Sequence, residues 1–539
     1  RRVLRAAHRH PHRTAAALAL LHLALALLAF QPAPHPGGDN ATYLALARSL
    51  LEDGAYRDLF DPARPPHTQF PPVFPALEAA ALALGVRPWV GLKLLTVAFS
   101  VAGVALTWYW LRRRRRPGLA LGVALLAALS PGVLELSHWE LSDVPFWAFT
   151  TAALLAWERL PPRRHGRAAL AAFLTTLAYL TRSAGLPLVV AAAGWLALRR
   201  RWRQLGILAA VLGPPALLWW LRGRASGGYA SLILFRNPYA PAQGTADAGD
   251  LARRAAENLA SYGGGYLPRF LTGSEGVPAA GLGMLLVGLA AWGWARRLRR
   301  PGVAELWVPL YLAMLLAWPV EWGGERLLLP LFPALLMYAG DGVARLARLA
   351  RVPPVPAGAA AAAVLLLAAL PGVGEVVREG RECTAQYRAG SRYPCQRPEW
   401  EDFYALAEEA RRTLPDGAVV ISRKPALFWA VSGLPGRNYP LDREPAGLFA
   451  AADEAGARYL VLDYIDAVAV TYLTPVLMRR PQAFCVLQGL GPERAALLGI
   501  HPGAAAMPDL RGDPGASEMT VGFRRCGPEF TKAARPPPA

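Results

Sequence analysis

Few residues in this 539-residue chain combine chemistry-bearing types with suggestive spacing. The first is Asp39, in Gly37-Gly38-Asp39-Asn40-Ala41-Thr42-Tyr43, at the head of a segment with Leu44, Ala47, Leu50 and Leu51 on one helical face and Gly54 at its end. An aspartate there serves as an N-cap, as a proton acceptor held in fixed geometry, or as both. Tyr43, one turn on, and His67, in a proline-bounded loop (HTQFPPVFP), are candidate contacts for a polar ligand. Glu140 and Asp143 lie three apart and share a helical face, with Pro145 placed for a first turn. Arg182 interrupts an apolar stretch, and Glu325 and Arg326 do the same further on. A guanidinium at the edge of an apolar layer seeks an anion: a carboxylate such as Glu325, or a phosphate. Arg222, Arg224 and Arg236 are weaker phosphate candidates.

The elements that must position these residues are membrane helices. The chain is 54% hydrophobic and 18% charged, with mean hydropathy +0.24, which excludes a disordered or collagen-like chain and disfavours a wholly soluble one. Apolar stretches long enough to approach the ~30 Å of a bilayer core fall at 14–30, 89–111, 118–134, 143–159, 167–181, 184–198, 204–221, 277–295, 304–320, 326–344 and 355–371. The expected fold is therefore mainly α, a polytopic bundle of about eleven spans over 1–371. The net charge of +20 is almost all arginine, lysine occurring only at 93, 424 and 532. With the N-terminus cytoplasmic, threading these spans in order puts every arginine cluster (residues 1–13, 112–116, 163–167, 199–203, 296–300 and 345–351) on the cytoplasmic side. The charge then reflects topology and anionic headgroups, and no nucleic-acid partner is required. Residues 71–85 are short and contain Glu78. They read as an interfacial or re-entrant helix, because a crossing there would invert the clusters that follow. The first span reads as a retained anchor in the inner or plasma membrane.

The same threading puts 31–88, 135–142, 222–276 and all that follows 372 outside. Asp39, Asp143, Arg182 and Arg326 then share the outer face, and a proton acceptor with phosphate-binding arginines at a membrane is what sugar transfer from a lipid phosphate requires. Residues 372–530 read as a small extracytoplasmic α/β domain: strands at 418–422, 458–463, 484–487 and 519–523, helices at 425–431 and 444–455. All four cysteines (Cys383, Cys395, Cys485, Cys526) lie in this part. They fit disulfides in an oxidising compartment. Proximity favours Cys383–Cys395 and Cys485–Cys526, although sequence leaves three connectivities open. No CxxC or Cys/His spacing points to a metal. Residues 531–539, ending in RPPPA, read as a disordered tail.

The ordered runs GGDNATYLALARSLLEDGAY, FPPVFP, ELSDVPF, YLTRSAGL and ERLLLPLFPALLMYAGDGV resemble the C-type integral membrane glycosyltransferases, on the branch of protein O-mannosyltransferases and the lipid A aminoarabinose transferase. The resemblance covers about residues 1–350. It implies a helical bundle with interfacial helices in the first outer loop, a polyprenyl-phosphate-linked sugar donor, and a lipid, glycan or protein acceptor. It matches Asp39 to the catalytic aspartate, Asp143 to the acidic position of the second outer loop, and Arg326 to the arginine before a Leu-Pro helix. Asn40 stands where many relatives carry a second acid, and Leu327 where a tyrosine is commoner. The implied reaction is an inverting single displacement with Asp39 as base and Arg182, Arg326 or Arg222 on the leaving phosphate. No cofactor is required, and a divalent metal stays open. The rival readings are a polytopic transporter, which would place ionisable groups near mid-bilayer, and an inactive cell-envelope assembly protein.

Overall fold

Every predicted span forms a helix, and the helix ends follow from local chemistry. The computed structural model describes residues 7, 9–114, 117–158, 160–161, 164–224, 233–491, 494–509 and 523–532. In chain order the helices are α1 (Pro11–Leu28), α2 (Asp39–Glu52), α3 (Val73–Ala83), α4 (Val90–Arg114), α5 (Pro117–Leu129), α6 (Pro131–Leu136), α7 (Asp143–Glu158), α8 (His165–Thr181), α9 (Leu186–Leu198), α10 (Trp202–Gly223), α11 (Ala248–Ala260), α12 (Leu267–Thr272), α13 (Val277–Ala295), α14 (Val303–Ala317), α15 (Phe332–Leu349), α16 (Pro354–Arg388), α17 (Pro398–Thr413), α18 (Pro425–Ser432), α19 (Pro445–Ala455) and α20 (Thr474–Arg479). The predicted 118–134 span is broken at Ser130, whose hydroxyl accepts from the Val133 N–H and so caps α6, with Pro131 in its first turn.

Among the described residues, five helices are long and apolar enough to cross a membrane: α1, α4, α10, α16 and the continuous stretch Val277–Arg299 that begins with α13. Helix α16 has 35 residues, about 52 Å at 1.5 Å per residue, so it outruns an apolar layer of ~30 Å. It also runs straight through the domain boundary expected at 371/372. Helix α3 has only 11 residues, about 16 Å, which is too short to cross.

The chain forms two compact units. The larger comprises Arg1–Pro32, Thr68–Leu77 and Leu84–Gly390. In it α4 packs against α1, α5 and α7, and α7 packs against α8. Its core is filled by large rings, among them Trp108, Trp147, Trp157 and Trp307, all fully buried. Helices α13 and α15 approach through paired glycines. A Cβ at Gly293 would lie 2.0 Å from the Tyr338 carbonyl, and one at Gly342 2.3 Å from that of Leu289, the small-residue packing that lets helix backbones meet. The region 222–276, expected as a loop, contains α11 and α12. Helix α11 starts at a capping box in which Asp247 and Asp250 each accept a backbone N–H of the other.

The second unit comprises Ala33–His67, Glu78–Ala83 and Ser391–Ala539. Most of the first predicted outer loop therefore groups with the C-terminal domain. Its six-stranded sheet has the order β2-β1-β3-β5-β4-β6, with β1 Val420–Ile421, β2 Gly436–Arg437, β3 Tyr459–Leu462, β4 Phe484–Gly489, β5 Ala496–Ile500 and β6 Arg524–Arg525. Strand β1 pairs in parallel with both β2 and β3, and β5 runs antiparallel to β3 and β4. All four β3 residues are buried, as expected of an inner strand covered on both faces. The predicted strands at 418–422, 458–463 and 484–487 and both predicted helices are present. The strand expected at 519–523 lies, except for Phe523, outside the described residues. So does the tail beyond Lys532. Lys532 itself is tied down, its N–H donating to the Thr413 carbonyl (2.8 Å) and its Nζ pairing with Asp416 (2.7 Å).

Candidate active site

In the larger unit, α7 begins at Asp143, so Glu140 lies before the helix and does not share a helical face with it. Asp143 is the first residue of α7 and is buried. Its Oδ2 accepts from Arg182 Nη1 at 2.7 Å, and the same nitrogen donates to Ser142 Oγ at 3.1 Å. Arg182 therefore meets a carboxylate of its own chain. It leaves the end of α8 in an extended conformation, which turns its side chain back over the start of α7. Tyr311 of α14 lies within electrostatic reach of Asp143, Arg182 and Tyr262, and its hydroxyl donates to the Leu327 carbonyl at 3.0 Å. Glu140 pairs with Lys93 of α4 at 3.8 Å, both fully buried. A lone buried charge would be prohibitive, so the pair is the condition for either to be there.

Arg326 is half-buried in a single 3-10 turn, Glu325–Leu328. Burial pushes the nearby Tyr262 phenol up, and the Arg326 charge opposes that rise. Tyr262 and Tyr266 sit edge to face at 5.2 Å in a π-helical turn, Ser261–Tyr266. Glu325 pairs with Arg269 (3.4 Å). Burial raises its carboxyl above the ordinary range, against the pull of Arg269. Arg222 is half-buried in the last turn of α10, and Arg224 lies over the Trp220 ring. Arg236 is committed to Asp250 (2.7 Å), which makes it part of the α11 cap rather than a phosphate ligand.

In the second unit, Asp39 opens α2 without capping it. The N-cap is Gly38, at φ +89°, with no side chain to bond the helix. Only glycine takes that conformation without strain. Helix α2 is also buried more fully than its pattern suggested: Tyr43, Leu44, Leu46 and Ala47 are buried, whereas Leu51, expected on the inner face, is 45% exposed. The reason is its packing against α18, where Arg48 lies over the Trp429 ring at 5.5 Å. The side-chain amide of Asn40 is buried and has no hydrogen-bond partner among the described residues. His67 is tied by Nδ1 to Asp58 Oδ1 at 2.7 Å and edge-on to Tyr56. This pairing within the loop explains its burial without any ligand.

Lys424 lies beside Asp39. A Cβ built on Gly38 would stand 3.2 Å from Lys424 Cδ. Burial lowers the Lys424 ammonium below the ordinary lysine range, followed by the repulsion of Arg423. The carboxylates of Asp39, Asp466 and Asp463 pull the other way. Arg423 pairs with Asp466 at 2.9 Å. Burial raises the Asp463 carboxyl to about 7. Neither lysine partnership, Lys93 with Glu140 or Lys424 with Asp39, was read from sequence. The available signal was composition: in a chain of 58 basic residues only three are lysine.

Cys485 and Cys526 are joined, and Cys383 and Cys395 are also disulfide-bonded. Among the described residues, no group of three or more His, Cys, Asp or Glu side chains is placed to hold a metal ion.

No protein-family model matches the chain, and no curated protein matches it in sequence. Solved structures do match. The ArnT protein of Cupriavidus metallidurans bound to undecaprenyl phosphate superposes with a TM-score of 0.53 at 14% identity, over 91% of this chain and 98% of that one. The oligosaccharyltransferase of Archaeoglobus fulgidus complexed with zinc and sulfate gives 0.54 at 15% identity, over 83% and 67%. That archaeon's oligosaccharyltransferase AglB, in complex with an inhibitory peptide and a dolichol-phosphate, gives 0.52 at 15%, over 83% and 69%. The likeness to C-type membrane glycosyltransferases read from the sequence thus holds at the level of fold.

Proposed function

We propose that this chain is a membrane glycosyltransferase that moves a sugar from a polyprenyl-phosphate carrier to an acceptor hydroxyl, amine or phosphate at the outer face of the membrane. The observation that carries the reading is the fold shared over 91% of the chain with a protein solved on undecaprenyl phosphate. The acceptor is a lipid, a glycan or a protein. The reaction is an inverting single displacement. The acceptor oxygen attacks the anomeric carbon and forms the new glycosidic bond while the bond from that carbon to the carrier phosphate breaks. Asp39 takes the acceptor proton, and the carrier phosphate departs as an anion. General-base assistance of this kind contributes ~10²–10⁴-fold.

Arg326 and Arg222 are the candidates to meet the developing phosphate charge. Arg182 is engaged with Asp143, and its role is to hold that carboxylate in place for the acceptor. Tyr43, buried in α2, and Glu140, paired with Lys93, are the candidate contacts for acceptor or donor. Glu325, held by Arg269, is assigned to positioning the turn that carries Arg326. No step is routed through a metal.

The test is turnover of purified wild type and Asp39→Asn with undecaprenyl-phosphate-linked sugar, read as release of undecaprenyl phosphate. The expected loss is ~10²–10⁴-fold. Undiminished turnover would remove Asp39 from the mechanism.

A further inference from the structure

The carboxyl edge of the parallel strands in the second unit collects polar groups that the fold itself leaves unsatisfied. Strands β2, β1 and β3 are neighbours and mutually parallel, so the chain leaves all three at the same edge. Ser422 and Lys424 follow β1, Tyr439 follows β2, and Asp463 follows β3. The Ser422 N–H donates to the Arg437 carbonyl at 2.9 Å, which holds the exits of β1 and β2 together. Ser422 and Asp463 are 0% exposed and Tyr439 3%. Ser422 Oγ, Tyr439 Oη and Asp463 Oδ2 have no hydrogen-bond partner among the described residues. Each such group costs ~1–3 kcal/mol while its bond is unmade. Three at one edge is more than packing alone explains, and the carboxyl ends of parallel strands are where open α/β sheets receive ligands.

The charges say what kind of ligand. Lys424 faces the carboxylates of Asp39 and Asp463, and Arg423 is matched by Asp466. Two cations, Lys424 and Arg423, thus meet three carboxyl groups, those of Asp39, Asp463 and Asp466, so an anion gains no net attraction here. The donors and acceptors alternate: a carboxylate accepts, an ammonium donates, and a serine or tyrosine hydroxyl does both. A molecule dense in hydroxyl groups has the same dual character at every position.

We propose that this edge, formed by Ser422, Lys424, Tyr439 and Asp463 beside Asp39, is a binding site for a neutral saccharide held through its hydroxyls. It deepens the transfer reading, on which it rests for the sugar's role: a sugar seated there offers one hydroxyl to Asp39 and is the acceptor. Binding itself requires no donor and no turnover.

The test is saturation-transfer NMR on the full chain in lipid nanodiscs with methyl α-D-mannopyranoside, methyl β-D-galactopyranoside and D-arabinose at millimolar concentration, and glycerol 3-phosphate as the charged comparator. Transfer to the ring protons of at least one saccharide is expected, falling at least fivefold in both Ser422→Ala and Tyr439→Phe while their thermal unfolding stays that of the wild type. No transfer to any of the three, transfer undiminished in both variants, or stronger transfer to glycerol 3-phosphate would each overturn the proposal. The two readings fail separately. Loss of turnover in Asp39→Asn with no saccharide binding in wild type would sink the site and leave the reaction. Saccharide binding with Asp39→Asn fully active would do the reverse.

Discussion

Helix α7 carries a carboxylate at each end, about 22 Å apart, and the two are held in different ways. At its last residue, Glu158 shares the Arg114 guanidinium (3.0 Å) with Glu305 (2.7 Å). Glu305 also accepts from the Tyr338 hydroxyl and the Gly302 N–H, both at 2.8 Å, and Glu158 from Trp110 Nε1 at 2.8 Å. One arginine thereby clasps α4, α7, α14 and α15. At the first residue, Asp143 meets Arg182, which stands at the end of the next helix, α8. The first arrangement closes four helices on one another and belongs to the architecture. The second spends a charge pair on helices that the chain already keeps adjacent, and the fold gains less from it. Similar ion pairs in one bundle thus serve different ends, and what separates them is how many elements each pair ties together.

The sharpest way to break that contrast is Arg114→Ala. It leaves the buried Glu305 and the half-buried Glu158 without their cation, and the expected loss is about 3–5 kcal/mol, read as a fall in the thermal unfolding midpoint in detergent. An unchanged midpoint would erase the architectural role. Next in size is a test in the second unit, where Asp463 has no cation as close. Its carboxyl sits at about 7 rather than 3.8, so the folded state favours the protonated form. The stabilisation from that proton is complete below about pH 4 and is lost as pH rises to about 7. Asp463→Asn should therefore match wild type in strong acid and exceed it by about 2–4 kcal/mol at pH 8. A gap that does not widen with pH would show that the carboxyl is not held protonated. The smallest stability effect is expected for Arg182→Ala, about 1–3 kcal/mol, with turnover reduced out of proportion. Equal falls in midpoint for Arg182→Ala and Arg114→Ala would collapse the distinction.

Much of this was legible in sequence because the bilayer is a strict solvent. It demands long apolar helices, so the eleven apolar segments could be read as helices, and it penalises lone charges, so Asp143 and Arg182 stood out, and the two are paired. Arg114 and Glu305 did not. Arg114 was one member of an arginine cluster, and Glu305 one acid near the start of an apolar helix, with 190 residues between them. Periodicity carries no information at that separation. Strand β5, Ala496–Ile500, was missed because a short apolar run between two turns has no distinguishing period, and β2 because two residues have none at all. The first outer loop was assigned to the membrane domain by its place in the chain. Most of it groups with the second unit, where α2 buries Tyr43 and Leu46, a preference of packing and not of order along the chain. The saccharide edge was invisible for the same reason: Ser422, Tyr439 and Asp463 follow three different strands.

Gly38 deserves its place in front of Asp39 for what it lacks. Its backbone sits in the left-handed region, and the stem of Lys424 lies 3.2 Å from where a methyl group would stand. The heading of the aspartate is thus set by a hydrogen atom. A side chain at this position would strain the backbone that leads into Asp39 and press on the lysine, without altering a single charge.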